Sequence, residues 1–136
     1  MTTDVTNLKS LLKDPSLLVT QGYLAGIWTD GENGDTFDVI NPARGDVIAQ
    51  VANFSRAQTA QAIAQAQIAQ KEWAARTAKE RSVILRRWFD LMVANTDDLA
   101  TILTAEQGKP LAEAKGEIAY GASFIEFFAE EAKRVY

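Results

Sequence analysis

The sequence predicts a mixed, mostly α fold: a small antiparallel β-hairpin region followed by four or so helices. Two observations carry this. Turn residues crowd the stretch 22–54, where Gly22, Gly26, Gly31, Gly34, Pro42 and Gly45 separate short apolar runs. From Ser55 onward, apolar residues recur at helical spacing behind two capping boxes, Ser55 with Gln58 and Thr77 with Glu80. The 136 residues suit one unit, with an N-terminal helix in 1–21, the hairpin region in 22–54 and the helical region in 55–136.

Each element has its own justification. Leu8, Leu11 and Leu12, with Val5, fall at helical spacing, and Pro15 ends or interrupts that helix. Tyr23-Leu24-Ala25, Phe37–Ile40 and Val47–Val51 are strand candidates. Asp30–Asp35 and Asn41–Gly45 are turns between them, so the strands form two small hairpins or a three-stranded meander. Such a sheet is too small to stand alone and must pack on something. Ser55 opens a helix to about Arg76, with Ala62, Ala66, Ala69 and Trp73 on one small, flat face. Thr77 opens the next, to about Asn95, with Ile84, Leu85, Trp88, Leu91 and Met92 as its apolar stripe. Asn95 or Thr96 caps a third, with Leu99, Ile102 and Leu103 inward. Gly108 suits a left-handed helix end, and Pro110 suits the first turn of the last helix.

Composition limits the chemistry. The chain has no cysteine and no histidine. That removes disulfides, thiolate nucleophiles, histidine bases and the commonest metal ligands. No loop has the acidic spacing of a calcium site, and no GxGxxG or GxxxxGK is present. Asp97-Asp98 and Glu130-Glu131 are adjacent pairs, which do not face each other on a helix; Asp97 and Asp98 suit a helix's first turn. Lys9, Lys109 and Lys115 read as solvated lysines. A net charge of −4 gives no electrostatic case for nucleic acid or an anionic membrane. Short apolar runs and an N-terminus without a signal core point to a cytoplasmic protein.

The last helix is apolar on two sides. Leu111, Ala114, Ile118, Ala122, Ile125, Ala129 and Ala132 form one stripe. Tyr120, Phe124 and Phe127 point roughly the opposite way, with Phe128 between. A helix apolar on both sides should be buried on both sides. Either it is central in a small helical domain, or its second cover lies in other polypeptide or another subunit.

The string Glu106-Gln107-Gly108-Lys109-Pro110-Leu111, followed by Glu113-Ala114-Lys115-Gly116-Glu117-Ile118, resembles the N-terminal part of aldehyde dehydrogenases, most of all the succinate-semialdehyde branch. Thr77–Arg81 with Ile84–Met92, Asp97-Asp98-Leu99-Ala100, Ala122–Glu126 and Phe128–Arg134 extend the likeness. Upstream, Ala25-Gly26-Ile27-Trp28 stands where the family usually has Asn-Gly-Glu-Trp, and Val39-Ile40-Asn41-Pro42 precedes Gly45. The likeness covers nearly the whole chain but only the opening part of such an enzyme.

The resemblance implies an α/β enzyme whose cysteine thiolate attacks an aldehyde; the hemithioacetal so formed passes hydride to NAD or NADP, leaving a thioester, and glutamate-activated water releases the acid. An asparagine amide and a backbone N–H would hold the oxyanion. It places those residues, the nucleotide-binding elements and the substrate-carboxylate arginines beyond Tyr136. It therefore implies no catalytic, cofactor-binding or metal residue here, and no dehydrogenase activity or bound cofactor for this chain alone. The implied partners are the remainder of the enzyme or another subunit, in a homo-oligomer. The last helix would pass near the substrate tunnel, making Tyr120 and Phe124 candidates for its wall; otherwise they are plain core aromatics. On this reading the chain is a truncated product, a proteolytic fragment or an engineered piece. The alternative is a stand-alone non-catalytic helical module for interaction or oligomerisation.

Overall fold

The computed structural model describes residues 6–134. Helix α1 (Thr6–Ser10) leads through a 3-10 turn (Pro15–Leu17) into hairpin β1 (Gly22–Leu24) and β2 (Ile27–Thr29). A second 3-10 turn (Glu32–Gly34) leads to hairpin β3 (Thr36–Ile40) and β4 (Val47–Ala52). Four long helices follow: α2 (Arg56–Ala75), α3 (Ala78–Ala94), α4 (Thr96–Gln107) and α5 (Leu111–Glu131).

The N-terminal helix ends at Ser10, before Leu11, Leu12 and Pro15, and Val5 lies outside the described residues. Two forces end it early. The Lys13 and Asp14 backbone N–H groups donate to the Asp98 carboxylate at 3.0 and 2.8 Å. Asp14 also accepts from the Ser16 N–H at 3.0 Å, opening the turn at Pro15. Leu8 and Leu12 are buried, while Leu11 is exposed rather than part of the stripe.

The sheets are two separate antiparallel hairpins, not a meander. Ala25 is a turn residue, not a strand residue. Ala25 and Gly26 both have positive φ (52° and 87°), the conformation of a tight hairpin turn. Glycine takes that conformation freely and alanine does not, so the composition hides this turn and the strand β2 beyond it. In the second hairpin, Val39 pairs with Ala49 and Ile40 with Val47, so Ile48 forms a bulge. Ile48 packs with Leu8, Leu12 and Leu18, flanked by Val39, Ile102 and Ala105. That is how the small sheet meets its need for a neighbour.

Both capping boxes form as the sequence predicts, at Ser55/Gln58 and Thr77/Glu80. Gln58 also accepts from the Glu32 N–H at 2.9 Å and donates to the Asp30 carbonyl at 3.0 Å, tying the turn before β3 to α2. Asn95 does not cap α4 with its side chain; its amide donates to the Leu91 carbonyl at 2.8 Å, and the Thr96 hydroxyl bonds back to Val93. α2 has no buried residue: Ala62 and Trp73 are half-covered, Ala66 and Ala69 exposed. Its small face borders a cleft of about 240 Å³ against Tyr23–Gly26 of the first hairpin.

α3 and α4 pack on α5. On α3 the covered side carries Ser82, Leu85, Phe89 and Met92, whereas Ile84, Trp88 and Leu91 of the expected stripe are exposed. On α4, Leu99, Ile102 and Leu103 are half-buried, and Asp98 and Ala100 are the buried residues. On α5, Ala114, Ala122 and Ala129 are buried, with Ile118, Ile125 and Ala132 half-buried between them. Leu111 is exposed at the start of this stripe. Alanines at spacings of eight and seven let α3 and α4 approach closely.

This leaves a thin core. Among the described residues, the side chains with 1% exposure or less are all alanines: Ala49, Ala100, Ala114, Ala122 and Ala129. The accessible surface is 9573 Å², against about 7,000 Å² for a folded monomer of this mass.

Candidate functional site

The site is the outer face of α5 and the joint that aims it. At the joint, Gly108 adopts the left-handed conformation (φ 79°), and its N–H reaches the Thr104 carbonyl at 2.9 Å. A Cβ there would sit 2.9 Å from Pro42 Cγ, so glycine is required twice, by backbone angle and by space. Pro110 is the residue just before α5 rather than in its first turn; its carbonyl accepts from the Ala114 N–H at 2.9 Å.

Charged groups fix the angle between α4 and α5. Asp97 bonds Lys115 at 2.7 Å and Lys13 at 3.0 Å, joining the N-terminal segment, α4 and α5 at one carboxylate. The Lys115 contact first, then Lys13, draws the Asp97 pKa from 3.8 down to about 2. A carboxylate depressed in the folded state contributes its stability above its unfolded pKa and loses it as pH falls through the folded value. The Asp97 contribution is therefore complete above pH 3.8 and disappears toward pH 2. Lys115→Gln is expected to move the Asp97 titration, followed by carboxyl NMR, back toward 3.8. An unmoved midpoint would refute the assignment.

Lys109, in the joint before α5, pairs with Glu117 of α5, and most of its side chain is covered. Lys109 and Lys115 are thus structural ion-pair partners rather than freely solvated lysines. Glu106, at the end of α4, is raised above its ordinary value by partial desolvation, although much of the residue remains exposed. On the far side, Arg86 of α3 reaches Glu126 of α5 at 2.9 Å. The sequence pattern places Asp97 and Asp98 in a first helical turn, where they are. It gives no sign that they also hold a segment more than 80 residues away.

Tyr120 and Phe124 lie on the outer face, 63% and 47% exposed, their rings edge-to-face at 4.8 Å. Phe127 (56% exposed) and Phe128 form a second edge-to-face pair at 5.3 Å. Tyr120, Phe124 and Phe127 line an open helix face, and Phe128 lies at its edge, bordering a cleft with Trp73 and Leu85. Each buried phenylalanine contributes roughly 1.5–3 kcal/mol, so this face holds substantial unrealised burial. Tyr23, Ile27 and Trp28 of the first hairpin and Trp88 of α3 are also exposed.

No group of three or more acidic side chains among the described residues is placed to hold a metal ion. Nor is any helix among them long and apolar enough to cross a membrane. The strand-to-helix step from β4 to α2 has no glycine, and the Ser55 hydroxyl accepts from the Gln58 N–H there. A dinucleotide needs a glycine turn and free N–H groups at such a step, so these residues do not fit one.

The sequence model of the aldehyde dehydrogenase family matches residues 28–136. The chain is 60% identical over 125 residues to the glutarate-semialdehyde dehydrogenase of Pseudomonas putida, covering 92% of this chain and 26% of that protein. It is 54% identical, over the same shares, to the NADP(+) succinate-semialdehyde dehydrogenase of Escherichia coli. The crystal structure of succinate-semialdehyde dehydrogenase from Burkholderia pseudomallei superposes with a TM-score of 0.88 at 60% identity, over 92% of this chain and 26% of that one. The chain thus spans about a quarter of the length of the relatives it matches, and corresponds to their N-terminal part.

Proposed function

Because this chain belongs to the aldehyde dehydrogenase family, we propose that it serves as the N-terminal quarter of a cytoplasmic, homo-oligomeric semialdehyde dehydrogenase. That enzyme would oxidise succinate or glutarate semialdehyde to the diacid with reduction of NAD or NADP. The observation that carries the reading is the outer face of α5: the rings of Tyr120, Phe124 and Phe127 on one open helix face, in a chain whose most deeply buried side chains, among the described residues, are all alanines. The exposed area exceeds that of a compact monomer by about 2,500 Å². A standard protein–protein interface takes only about 800 Å² from each partner. The excess suits a piece of a larger fold better than a module with one docking patch.

The role of this quarter is then positional. Asp97 and Gly108 set the angle of α5, Asp98 holds the N-terminal segment, and α5 offers its aromatic face to the rest of the enzyme. Tyr120 and Phe124 form one wall of the substrate passage, with the opposite wall supplied by that remainder. The cofactor, the nucleophile and the groups that activate water belong to the remainder too, and no chemical step is assigned to residues of this chain.

The test joins this chain to the remaining three quarters of the Pseudomonas putida enzyme. The fusion is expected to reduce NAD(P) with glutarate or succinate semialdehyde, and the 136-residue chain alone is expected to show none of this activity. Turnover by the chain alone, or a folded fusion without turnover, would overturn the proposal.

A further inference from the structure

Gly116 lies on the outer face of α5, one turn before Tyr120 and two before Phe124. Glycine is the poorest helix former after proline, so its place inside a 21-residue helix calls for a reason. The backbone supplies none, because Gly116 is not among the positive-φ residues. The neighbours supply none either: a Cβ built there meets no atom of this chain within 4 Å. Gly121, on the same helix, differs, since its Cβ would touch Met92 Cε of α3 at 3.8 Å.

The outer face is graded along its length. Toward the helix N-terminus it carries Gly116 flanked by Glu113 and Glu117, with Ala112 at one edge; toward the C-terminus, Tyr120, Phe124 and Phe127. Small residues let two backbones approach, and large ones hold them apart. An element lying on this face would be nearest at Gly116 and rise away over the rings.

We propose that the outer face of α5 receives an element of the polypeptide that follows this stretch in full-length aldehyde dehydrogenases, and that the main chain of that element packs directly on Gly116. This rests on the reading that the chain is the N-terminal quarter of such an enzyme. The occupant is chosen by area and length. The excess surface of about 2,500 Å² is beyond what one side of a standard subunit interface takes, and the relatives carry three quarters of their length outside the matched part.

Gly116→Ala and Gly116→Leu test this in two settings. In the chain alone, both substitutions point into open space, so helical signal and thermal midpoint rise or hold. In the Pseudomonas putida fusion, Gly116→Leu is expected to cut the yield of active enzyme roughly tenfold through overpacking, with Gly116→Ala intermediate. Because the variant chain alone keeps its helix, that loss reports the contact and not a failed α5. A native fusion that works, with a Gly116→Leu fusion that works equally well, overturns the close approach and leaves the family-based reading intact. An inactive native fusion overturns that reading itself. A Gly116→Leu fusion whose subunits fold but no longer associate overturns the choice of occupant, because a second copy would then cover the face.

Discussion

Asp98→Ala is expected to destabilise the chain by about 2–4 kcal/mol, two hydrogen bonds to a charged acceptor being lost together. Asp98 is 5% exposed, and its two oxygens accept from the Lys13 and Asp14 backbone N–H groups. Alanine leaves both donors unpaired in a partly buried place. The segment's way out is to detach and hydrate them, and that carries Leu8, Leu12 and Leu18 away from Ile48. The cost of losing this cluster limits the effect from above. Asp98→Asn keeps one good acceptor and should lose about half as much. Urea unfolding of the three proteins measures the difference. A value for Asp98→Ala within about 0.5 kcal/mol of native, the range of an ordinary surface change, would show that the carboxylate does not hold this segment.

The second large effect is expected at the seam of α5. Ala122 is 1% exposed, between the fully buried Ala114 and Ala129. Ala122→Leu adds three carbons where α3 and α4 close on α5, and the helices must part or the new side chain must leave its rotamer. Overpacking of this kind costs roughly 1–3 kcal/mol, occasionally more. The contrast is Tyr120→Ala, two residues earlier on the outer face. In the chain alone it should stay within about 0.5 kcal/mol of native, as a surface substitution does. Equal penalties at the two positions would mean that the chain buries both faces of α5 by itself.

Much of the helical half can be read from the sequence because its signals are local. A capping box spans four residues, so Ser55 with Gln58 and Thr77 with Glu80 announce their helices without help from the fold. Gly108 marks the end of α4 for the same reason, and the 100° step separates the two faces of α5 from local spacing alone. The N-terminal half is less legible because its decisive contacts are distant. α1 stops where Asp98, 85 residues from Lys13, captures the backbone. β2 stays hidden because Ala25 takes a left-handed turn that usually goes to asparagine or glycine. On α3, the apolar pattern is wider than the contact with α5, and which residues are covered depends on that helix's orientation. The candidate site divides in the same way. Tyr120 and Phe124 share an outer face, as their spacing requires, but what lies against them is not written in this stretch of chain.

The central claim is that the outer face of α5 is built to be covered by the rest of an aldehyde dehydrogenase. Hydroxyl-radical footprinting of Phe127, read by mass spectrometry in the dilute chain and in the Pseudomonas putida fusion, tests it most directly. Phe127 is 56% exposed in this chain. The account predicts rapid oxidation of its ring in the chain and strong protection in the fusion. Equal oxidation in the two proteins would contradict it.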